Sequence, residues 1–491
     1  MNEIQEMSRA DARSSAPVQA RGLDATGWTA KRRDFLRILG YGAGSMALGP
    51  MLAACGDSNA QTTAETLRAQ LVQDEAFWTE VQKMFILDPS KTYMNIGTAG
   101  SMPKVVLDLF AEENRKKAAD SGNGYSNLLA QRQQVAPGFG VDADELAFSA
   151  NTSSGMCHAI LGLDWQRGDV VVTTNHEHGG GDTPLKIATD RYGIEVSRIA
   201  MPVGNNQTAA TYVTLFDDRI KQLKAQGKRV RAMMWSSPTY KTGTMLPIAD
   251  LMTVVKAHGL ISIVDGAHLP GMMAYNYGEL GMDFMSGAGH KWQCGPGSTG
   301  ILVIRNKIRA SNPLPLPKWY PIHTSTYPAL ERANSATATY DVAASVTSCG
   351  SVHTPMFLAL VEACAQWDKI GRKKIETYDI TMASYLKEKI VERWGVDSLY
   401  SPKDDPKLLS ALTSFNPFQV KTDVMDATKS NTFVARMLSD YPQHFVVRNA
   451  NFSVIGAPSD HYGVRVSTHV WHDANDIDLL VNAMWDLSRK M

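Results

Sequence analysis

The segment GAGHKWQCG, residues 287–295, places one lysine, Lys291, between a histidine and a tryptophan. Glycines close on both sides leave room for a flat ligand to approach the backbone. Asp265 closes the apolar run of IVDGAH, 26 residues before Lys291. A carboxylate at the end of a buried strand is costly unless a cation meets it. The two residues therefore predict a site that combines a reactive amine with a carboxylate facing a bound cation.

Two polar segments follow other apolar runs. NTSS opens a predicted helix, where the hydroxyls of Thr152 and Ser153 join the free amides of the helix N-terminus and attract anions. NHEHGG, residues 175–180, offers imidazoles, among them His178. An anion site, a stacking imidazole, a buried carboxylate and a reactive lysine together favour pyridoxal phosphate as the cofactor.

In this interpretation the phosphate of the cofactor lies at residues 152–154. Asp265 keeps the pyridine nitrogen protonated, so that the ring withdraws electrons from the substrate. Lys291 forms the Schiff base, because a lowered pKa makes its amine nucleophilic.

The order of these motifs resembles that of a known enzyme family. The segments run SANTSSGM, NHEHGG, SSPTYKTG, VDGAHLPG, GAGHKW and GVRVSTHVW. The series is similar to the class V aminotransferases, a family of fold-type I pyridoxal-phosphate enzymes, and within it to the isopenicillin N epimerase-like branch. The resemblance covers about residues 90–480 of the chain.

The resemblance implies roles by position. Lys291 matches the Schiff-base lysine, Asp265 the partner of the pyridine nitrogen and His178 the imidazole that stacks on the ring, which makes these the expected catalytic residues. The expected cofactor-binding residues are Thr152, Ser153, His178, Asp265, His268, His290, Lys291 and Ser351.

Five of these residues match more specific contacts. His268 matches the position that touches the phenolic oxygen of the cofactor. Thr152, Ser153 and His290 match phosphate contacts. Ser351 matches a hydroxyl usually given to the phosphate of the neighbouring subunit, so the resemblance also implies a homodimer.

Two residues are expected to bind the substrate. Arg465, in GVRVS, matches the arginine that holds the substrate carboxylate, a task that suits a guanidinium because it forms two parallel hydrogen bonds. Asn95, in the Gly-rich TYMNIGTAGS segment, is the second.

Plainer alternatives stay open for several positions. Asp265 could cap a turn, His290 could pack under the sheet and Arg465 could form a structural ion pair. His176 is expected to be a loop residue rather than a ligand, and Cys294 a filler rather than a catalyst.

One position departs from the family pattern. The family often has a hydroxyl three residues before the lysine, where this chain has Ala288. The phosphate site therefore has one contact fewer, or it borrows Ser286.

These residues need a scaffold of alternating strands and helices. Strands are predicted within 141–163, 168–180, 229–243, 260–271, 283–292 and 297–305. Apolar strands that alternate with helices indicate a mostly parallel sheet with both faces covered, and ligands bind beyond the carboxyl ends of such strands. The expected fold is α/β, of the fold-type I transferase kind, with a seven-stranded sheet in a large domain and a smaller α+β C-terminal domain.

The expected organisation has four parts. Residues 1–55 form a leader, 56–110 an N-terminal segment that packs on the small domain, 111–350 the large cofactor-binding domain, and 351–491 a helical linker with the small domain.

The reaction is less determined than the cofactor. Desulfurases need a nucleophilic cysteine upstream of the carboxylate-binding arginine, and residues 446–467 contain none. An aminotransferase acting on an amino acid or peptide-linked amino acid is the leading hypothesis. A carbon–sulfur lyase or an amino-acid epimerase is the alternative, and a non-catalytic lipoprotein that binds the cofactor or a solute is the hypothesis of another class.

Composition excludes several other classes. The 491-residue chain carries 49 Lys and Arg and 49 Asp and Glu, so it lacks the basic excess of a nucleic-acid binder. None of its five cysteines forms a CxxC pair, so no metal site is expected, although one disulfide among the last four is left open.

The N-terminal region reads as an export signal. Arg32 and Arg33 precede Asp34, and a weakly apolar run leads to the segment LAAC, which ends at Cys55. The first part resembles a twin-arginine signal and the second a bacterial lipobox. We expect engagement of the twin-arginine machinery, a periplasmic location and membrane attachment through a lipidated Cys55.

Overall fold

The computed structural model describes residues 63–121, 128–325, 341–418, 426–454 and 460–491. The predicted leader, with Arg32, Arg33 and Cys55, lies outside the described residues. The described residues belong to one compact unit. Along these ranges, no helix is long and apolar enough to cross a bilayer.

Seven strands form the main sheet. They are β1 (Leu146–Ser149), β2 (Asp169–Thr174), β3 (Glu195–Ile199), β4 (Arg229–Ser236), β5 (Ile261–Asp265), β6 (Phe284–Ala288) and β7 (Gly300–Ile304). Their order in the sheet is β1-β7-β6-β5-β4-β2-β3. The pairs from β3 to β6 are parallel, while β7 runs antiparallel to both β1 and β6. The predicted α/β fold with a mostly parallel seven-stranded sheet is confirmed.

The burial of the strands explains their composition. Every residue of β1, β2, β6 and β7 is buried, because helices cover both faces of the sheet. The helices up to the end of this sheet are α1 (Ala64–Gln73), α2 (Glu75–Gln82), α3 (Lys104–Ala119), α4 (Leu129–Val135), α5 (Thr152–Leu161), α6 (Gly179–Tyr192), α7 (Ala209–Ala225), α8 (Ile248–His258) and α9 (Tyr277–Leu280).

A second, antiparallel sheet lies in the C-terminal part. It consists of β8 (Leu412–Phe415), β9 (Arg448–Phe452) and β10 (His461–Ser467), in the order β8-β10-β9. The helices of this part are α10 (Ala344–Thr347), α11 (Thr354–Ile370), α12 (Arg372–Trp394), α13 (Ala427–Ser439) and α14 (Ala474–Ser488). The N-terminal α1 packs against α12 and α14, and the Arg68 guanidinium donates to Asn475 at 2.8 Å. The exact domain boundaries stay a prediction.

A local sequence signal accounts for the end of one helix. Gly259 ends α8 with a φ of 66°, which glycine adopts without strain. In the segment TYMNIG, Tyr93 and Asn95 form isolated bridges to Val446 and Ser467.

The topology brings the predicted segments to one edge. Strands β1, β2, β4, β5 and β6 all point the same way, so the loops after them share the carboxyl edge of the sheet. This is the edge at which open α/β sheets bind ligands.

Candidate active site

Lys291 lies in the turn that follows β6. Its Nζ is 3.5 Å from Nε2 of His268. Burial lowers the pKa of Lys291 to about 8, although the nearby Asp265 carboxylate opposes the change. The neutral, nucleophilic amine is therefore available close to neutral pH.

The Lys291 turn, residues 289–295, is held by a contact from the N-terminal segment of the chain. The backbone N–H of Gly100 donates to the carbonyl of His290 at 2.8 Å. A Cβ on Gly100 would stand 2.1 Å from the carbonyl oxygen of Lys291, so only glycine permits this approach.

Asp265 ends β5 and is only 3% exposed. Its Oδ1 accepts a hydrogen bond from the backbone N–H of Ala267 at 3.1 Å. Burial raises the pKa of this carboxyl, and the charges of Lys291 and His178 act in the opposite direction. A bound cation here would restore the ionised form.

His178 caps the N-terminus of α6. Its Nδ1 accepts from the backbone N–H of Gly180 at 3.0 Å, which leaves the proton of the neutral ring on Nε2. The ring meets that of Tyr240 edge-on, with centroids 5.0 Å apart. Burial lowers the pKa of His178, so this ring is neutral at pH 7.

The predicted anion site is at the start of α5. Asn151 caps this helix by accepting from the backbone N–H of Ser154 at 2.9 Å. Oγ1 of Thr152 is buried with no hydrogen-bond partner among the described residues. A Cβ on Gly180 would stand 2.4 Å from Oγ of Ser153, so the N-termini of α5 and α6 converge.

The other predicted phosphate contacts have protein partners. Ser286 donates to the carbonyl of Thr152 at 3.0 Å and so fixes the start of α5. Nδ1 of His290 lies 3.2 Å from the carbonyl of Thr299. Ser351 is exposed, and its expected contact with the phosphate of a neighbouring subunit stays a prediction.

Arg465 lies on β10 and is 2% exposed. It donates to the carbonyl of Tyr240 at 2.8 Å and to Oδ1 of Asn95 at 3.3 Å. Its Nε has no partner, and none of the ion pairs between described residues includes it. The alternative of a structural ion pair therefore finds no support in the described residues, and a buried cation in this state favours an anionic ligand.

His176 and Cys294, which are expected to lie outside the chemistry, are both buried. His176 is buried with Nε2 3.3 Å from the carbonyl of Ser453, and burial lowers its pKa to about 4. Cys294 is buried behind the Lys291 turn, and burial raises the pKa of its thiol well above the usual range.

Sequence reasoning missed Glu177. Its buried carboxyl accepts from the hydroxyls of Thr174 and Ser236, the latter at 2.6 Å. Burial raises its pKa to about 7. Ser236 is the strand partner of Asp265, so Glu177 bonds the residue directly beside the predicted catalytic carboxylate. Its place in NHEHGG was the only available signal.

It also missed a buried group behind the Lys291 turn, the rear cluster, formed by Asp379, His469 and Cys294. Nδ1 of His469 is 2.9 Å from Asp379, and its Nε2 is 3.0 Å from the carbonyl of Trp292 and 3.6 Å from Sγ of Cys294. Asp379 comes from α12, far from the lysine in sequence, so no local pattern announces the contact.

The free polar atoms fit pyridoxal phosphate. Oγ1 of Thr152 and Nδ1 of His268 are buried with no partner among the described residues, and Asp265 has a hydrogen bond to only one backbone amide. Phosphate, phenolic oxygen and protonated pyridine nitrogen are the groups that these atoms would satisfy.

Comparisons with known proteins agree with this chemistry. The family model for aminotransferase class-V matches residues 100–480. The isopenicillin N epimerase of Streptomyces clavuligerus is 25% identical over 47% of this chain and 57% of its own length. The enzyme of the same name from Amycolatopsis lactamdurans is 23% identical over 84% of this chain and 99% of its own.

Proteins named for other reactions also match. The L-cysteine desulfhydrase-like protein lolT1 of Epichloe uncinata is 25% identical over 47% of this chain and 52% of its length. A variant of C-DES with glycine covalently linked to its PLP cofactor superposes with a TM-score of 0.63 and 22% identity, covering 81% of this chain and 96% of that one.

The cofactor is therefore pyridoxal 5'-phosphate. The family model spans most of the chain, including the lysine turn, the β5 aspartate and the β10 arginine. The chain belongs to the aminotransferase class-V family.

Proposed function

We propose that this enzyme acts on the amino group of an amino acid or a peptide-linked amino acid, and that its reaction is transamination. The observation that carries the proposal is the pairing of Lys291, whose pKa is lowered to about 8, with a buried arginine that lacks an acidic partner among the described residues. The Lys291 amine would transfer protons at the reacting carbon, and the arginine would hold the carboxylate attached to that carbon.

The bound cofactor supplies an electron sink for the carbon next to the substrate nitrogen. Asp265 would hold the proton on the pyridine nitrogen, and the ring of His178 would cover one face. The amine of Lys291, once displaced by the substrate, is the base that takes the proton from the substrate carbon and returns it at another atom. Transamination needs no further acid–base group.

Arg465 and Asn95 would bind the substrate carboxylate. The 3.3 Å bond from Arg465 to Oδ1 of Asn95 keeps the guanidinium in place, while its Nε has no partner among the described residues. Fixing the carboxylate in this way would orient the reacting carbon towards Lys291.

A desulfurase that uses a nucleophilic cysteine is disfavoured. Residues 446–467 contain no cysteine. Cys294 is fully buried, and burial raises the pKa of its thiol. Nucleophilic sulfur chemistry requires an accessible thiolate, which this position does not provide.

A carbon–sulfur lyase is the second candidate, because one relative carries the name of a cysteine desulfhydrase-like protein. Elimination uses the same proton transfer by Lys291 and requires only a leaving group on the substrate. An epimerase, the name of two other relatives, would need an acid–base group on each face of the cofactor. A non-catalytic binding protein would need neither Lys291 nor Asp265.

The deciding experiment is incubation of the purified holoenzyme with a panel of amino acids and peptides. Conversion of the cofactor to its amine form supports transamination. Pyruvate with ammonia or sulfide identifies a lyase, and exchange of the α-hydrogen with inversion identifies an epimerase. A cofactor spectrum unchanged by every compound would contradict the enzymatic proposal.

We also propose that residues 1–55 direct export through the twin-arginine pathway, with lipidation at Cys55. The support is the RRDFLR and LAAC order of the sequence. Replacing Arg32 and Arg33 with lysine should retain the protein in the cytoplasm. Replacing Cys55 with alanine should release it from the membrane fraction.

Homodimer formation is a further proposal, based on the family match and on the position of Ser351. The measurement is sedimentation of the holoenzyme. A fully active monomer would contradict it.

A further inference from the structure

A second arginine lies beside the one that we assign to the substrate carboxylate. Arg448, the first residue of β9, is the direct partner of Arg465 in the antiparallel pair of β9 and β10. Side chains of directly opposed residues project from the same face of a sheet. Like charges in this arrangement destabilise the sheet, so we expect another interaction to offset the repulsion between the two arginines.

Hydrogen bonds link the two guanidinium groups. Arg448 donates to Oγ1 of Thr98 at 3.1 Å, and Thr98 donates to Oδ1 of Asn95 at 3.0 Å. Asn95 also accepts from Arg465 at 3.3 Å. The turn at residues 95–98 therefore holds both arginines at one site.

Arg448 faces the same space as the lysine. Burial is the main cause of the lowered pKa of Lys291, and the positive charges of Arg465 and Arg448 add to it. The same two charges contribute to the lowered pKa of His178, again after burial. Arg448 thus lies close enough to act on the groups of the candidate site.

The two guanidinium groups have no acidic partner among the described residues, since neither Arg448 nor Arg465 takes part in an ion pair there. Arg465 is buried at the inner end of the site, whereas Arg448 is exposed at its mouth. One ligand carboxylate would neutralise the inner cation, and a second, a few bonds away, would reach the outer one.

We propose that Arg448 binds a second carboxylate of the substrate, distal to the one held by Arg465. The inference rests on the proposed function and narrows it to amino acids or peptides that carry two carboxylates. Arg448 is then a specificity-determining residue, and Thr98 and Asn95 are positioning residues that set the spacing of the two guanidinium groups.

Binding of acids without an amine tests this independently of turnover. Succinate, glutarate and butyrate are titrated calorimetrically into the holoenzyme. The wild type should bind one of the dicarboxylates at least about tenfold more tightly than butyrate, as expected for one added charge-assisted contact. Equal binding of all three acids would overturn the proposal.

Variants assign the preference to Arg448. Arg448→Gln should weaken dicarboxylate binding much more than butyrate binding and so remove the preference, while Arg448→Lys should keep part of it because the charge remains. The matched control is Arg489→Gln, an exposed arginine at the end of α14, which should retain the full preference. An equal loss of butyrate and dicarboxylate binding in both Arg448 variants would give Arg448 a structural role and overturn the proposal.

The two proposals fail differently. If the holoenzyme converts no amino acid but still prefers dicarboxylates, the proposed reaction is wrong and the second carboxylate site stands. If amino acids with one carboxylate are converted as efficiently as those with two, the reaction stands and the site at Arg448 is wrong.

Discussion

Buried ionisable groups on the two sides of the Lys291 turn differ in their pairing. We call the side of the candidate active site the front and the side of the rear cluster the rear. At the front, Arg465 is 2% exposed and has no acidic partner among the described residues. At the rear, Asp379 and His469 are equally buried but lie 2.9 Å apart, and His469 also contacts the carbonyl of Trp292. The front arginine has no acidic partner among the described residues, whereas the rear carboxylate contacts His469 through one of its oxygens, and its Oδ1 has no partner among those residues.

The contrast separates ligand binding from structural support, two roles that burial alone does not distinguish. An unpaired buried charge costs free energy, which a bound anion removes. Burying a charged pair costs desolvation free energy, which the contact between the two groups offsets. Breaking the pair therefore affects folding rather than binding. We therefore expect front substitutions to change cofactor chemistry and rear substitutions to change stability.

The largest effect is expected at the front, for Lys291→Ala. Loss of the amine should remove the visible absorbance of the covalently held cofactor and lower turnover by at least about 10³-fold, because both attachment and proton transfer are lost. Absorbance spectra and steady-state kinetics measure both. Lys256→Ala, at a lysine that bonds the carbonyl of Ser311, should behave as the wild type. An unchanged spectrum in Lys291→Ala would refute the assignment.

Asp265→Asn is expected to lower kcat by about 10²–10³-fold while the cofactor stays bound, since the amide cannot stabilise the protonated pyridine nitrogen. The matched control is Glu177→Gln, a similar change at a buried carboxyl that bonds the strand partner of Asp265. It should cost much less, because Glu177 contacts hydroxyls of Thr174 and Ser236 instead of the cofactor. Equal losses in the two variants would show that the front site extends to Glu177.

Asp379→Asn tests the rear cluster. Breaking a buried pair should lower the free energy of unfolding by about 3–5 kcal/mol. Chemical denaturation, followed by tryptophan fluorescence, measures the loss. Asp486→Asn, at a partly exposed carboxylate that bonds Lys490 and Tyr441, is the control and should lower stability much less. If Asp379→Asn instead altered the cofactor spectrum of a stable protein, the division between front and rear would be wrong.

The smallest expected effect is on the pH dependence of cofactor capture by cofactor-free protein. Only the neutral amine of Lys291 attacks, and its pKa is lowered from 10.5 to about 8. The rate should therefore rise about tenfold per pH unit below about pH 8 and level off above it. Stopped-flow absorbance measures the rate, with butylamine as a free amine of ordinary pKa. A rise that continues to pH 10 would mean that burial does not tune this amine.

The sequence predicted the front far better than the rear. Lys291, Asp265 and Thr152 each follow a strand of their own, and parallel strands bring such positions to one edge. Asp379 and Arg448 depend on the packing of α12 and the register of β9 with β10, which no local pattern encodes. The antiparallel direction of β7 is likewise a tertiary outcome.

The order of elements along the chain has a consequence for biosynthesis. The lysine turn and the β5 aspartate precede residue 300, whereas Arg465 belongs to β10, near the C-terminus. Since chains fold as they leave the ribosome, N-terminal parts first, a nascent protein has Lys291 and Asp265 well before it has Arg465 and the His469 side chain that supports the lysine turn. A chain interrupted before residue 461 would retain Lys291 and Asp265 but lack both Arg465, which we propose to bind the substrate carboxylate, and His469, so the candidate site is assembled only once β10 and the segment after it have been made.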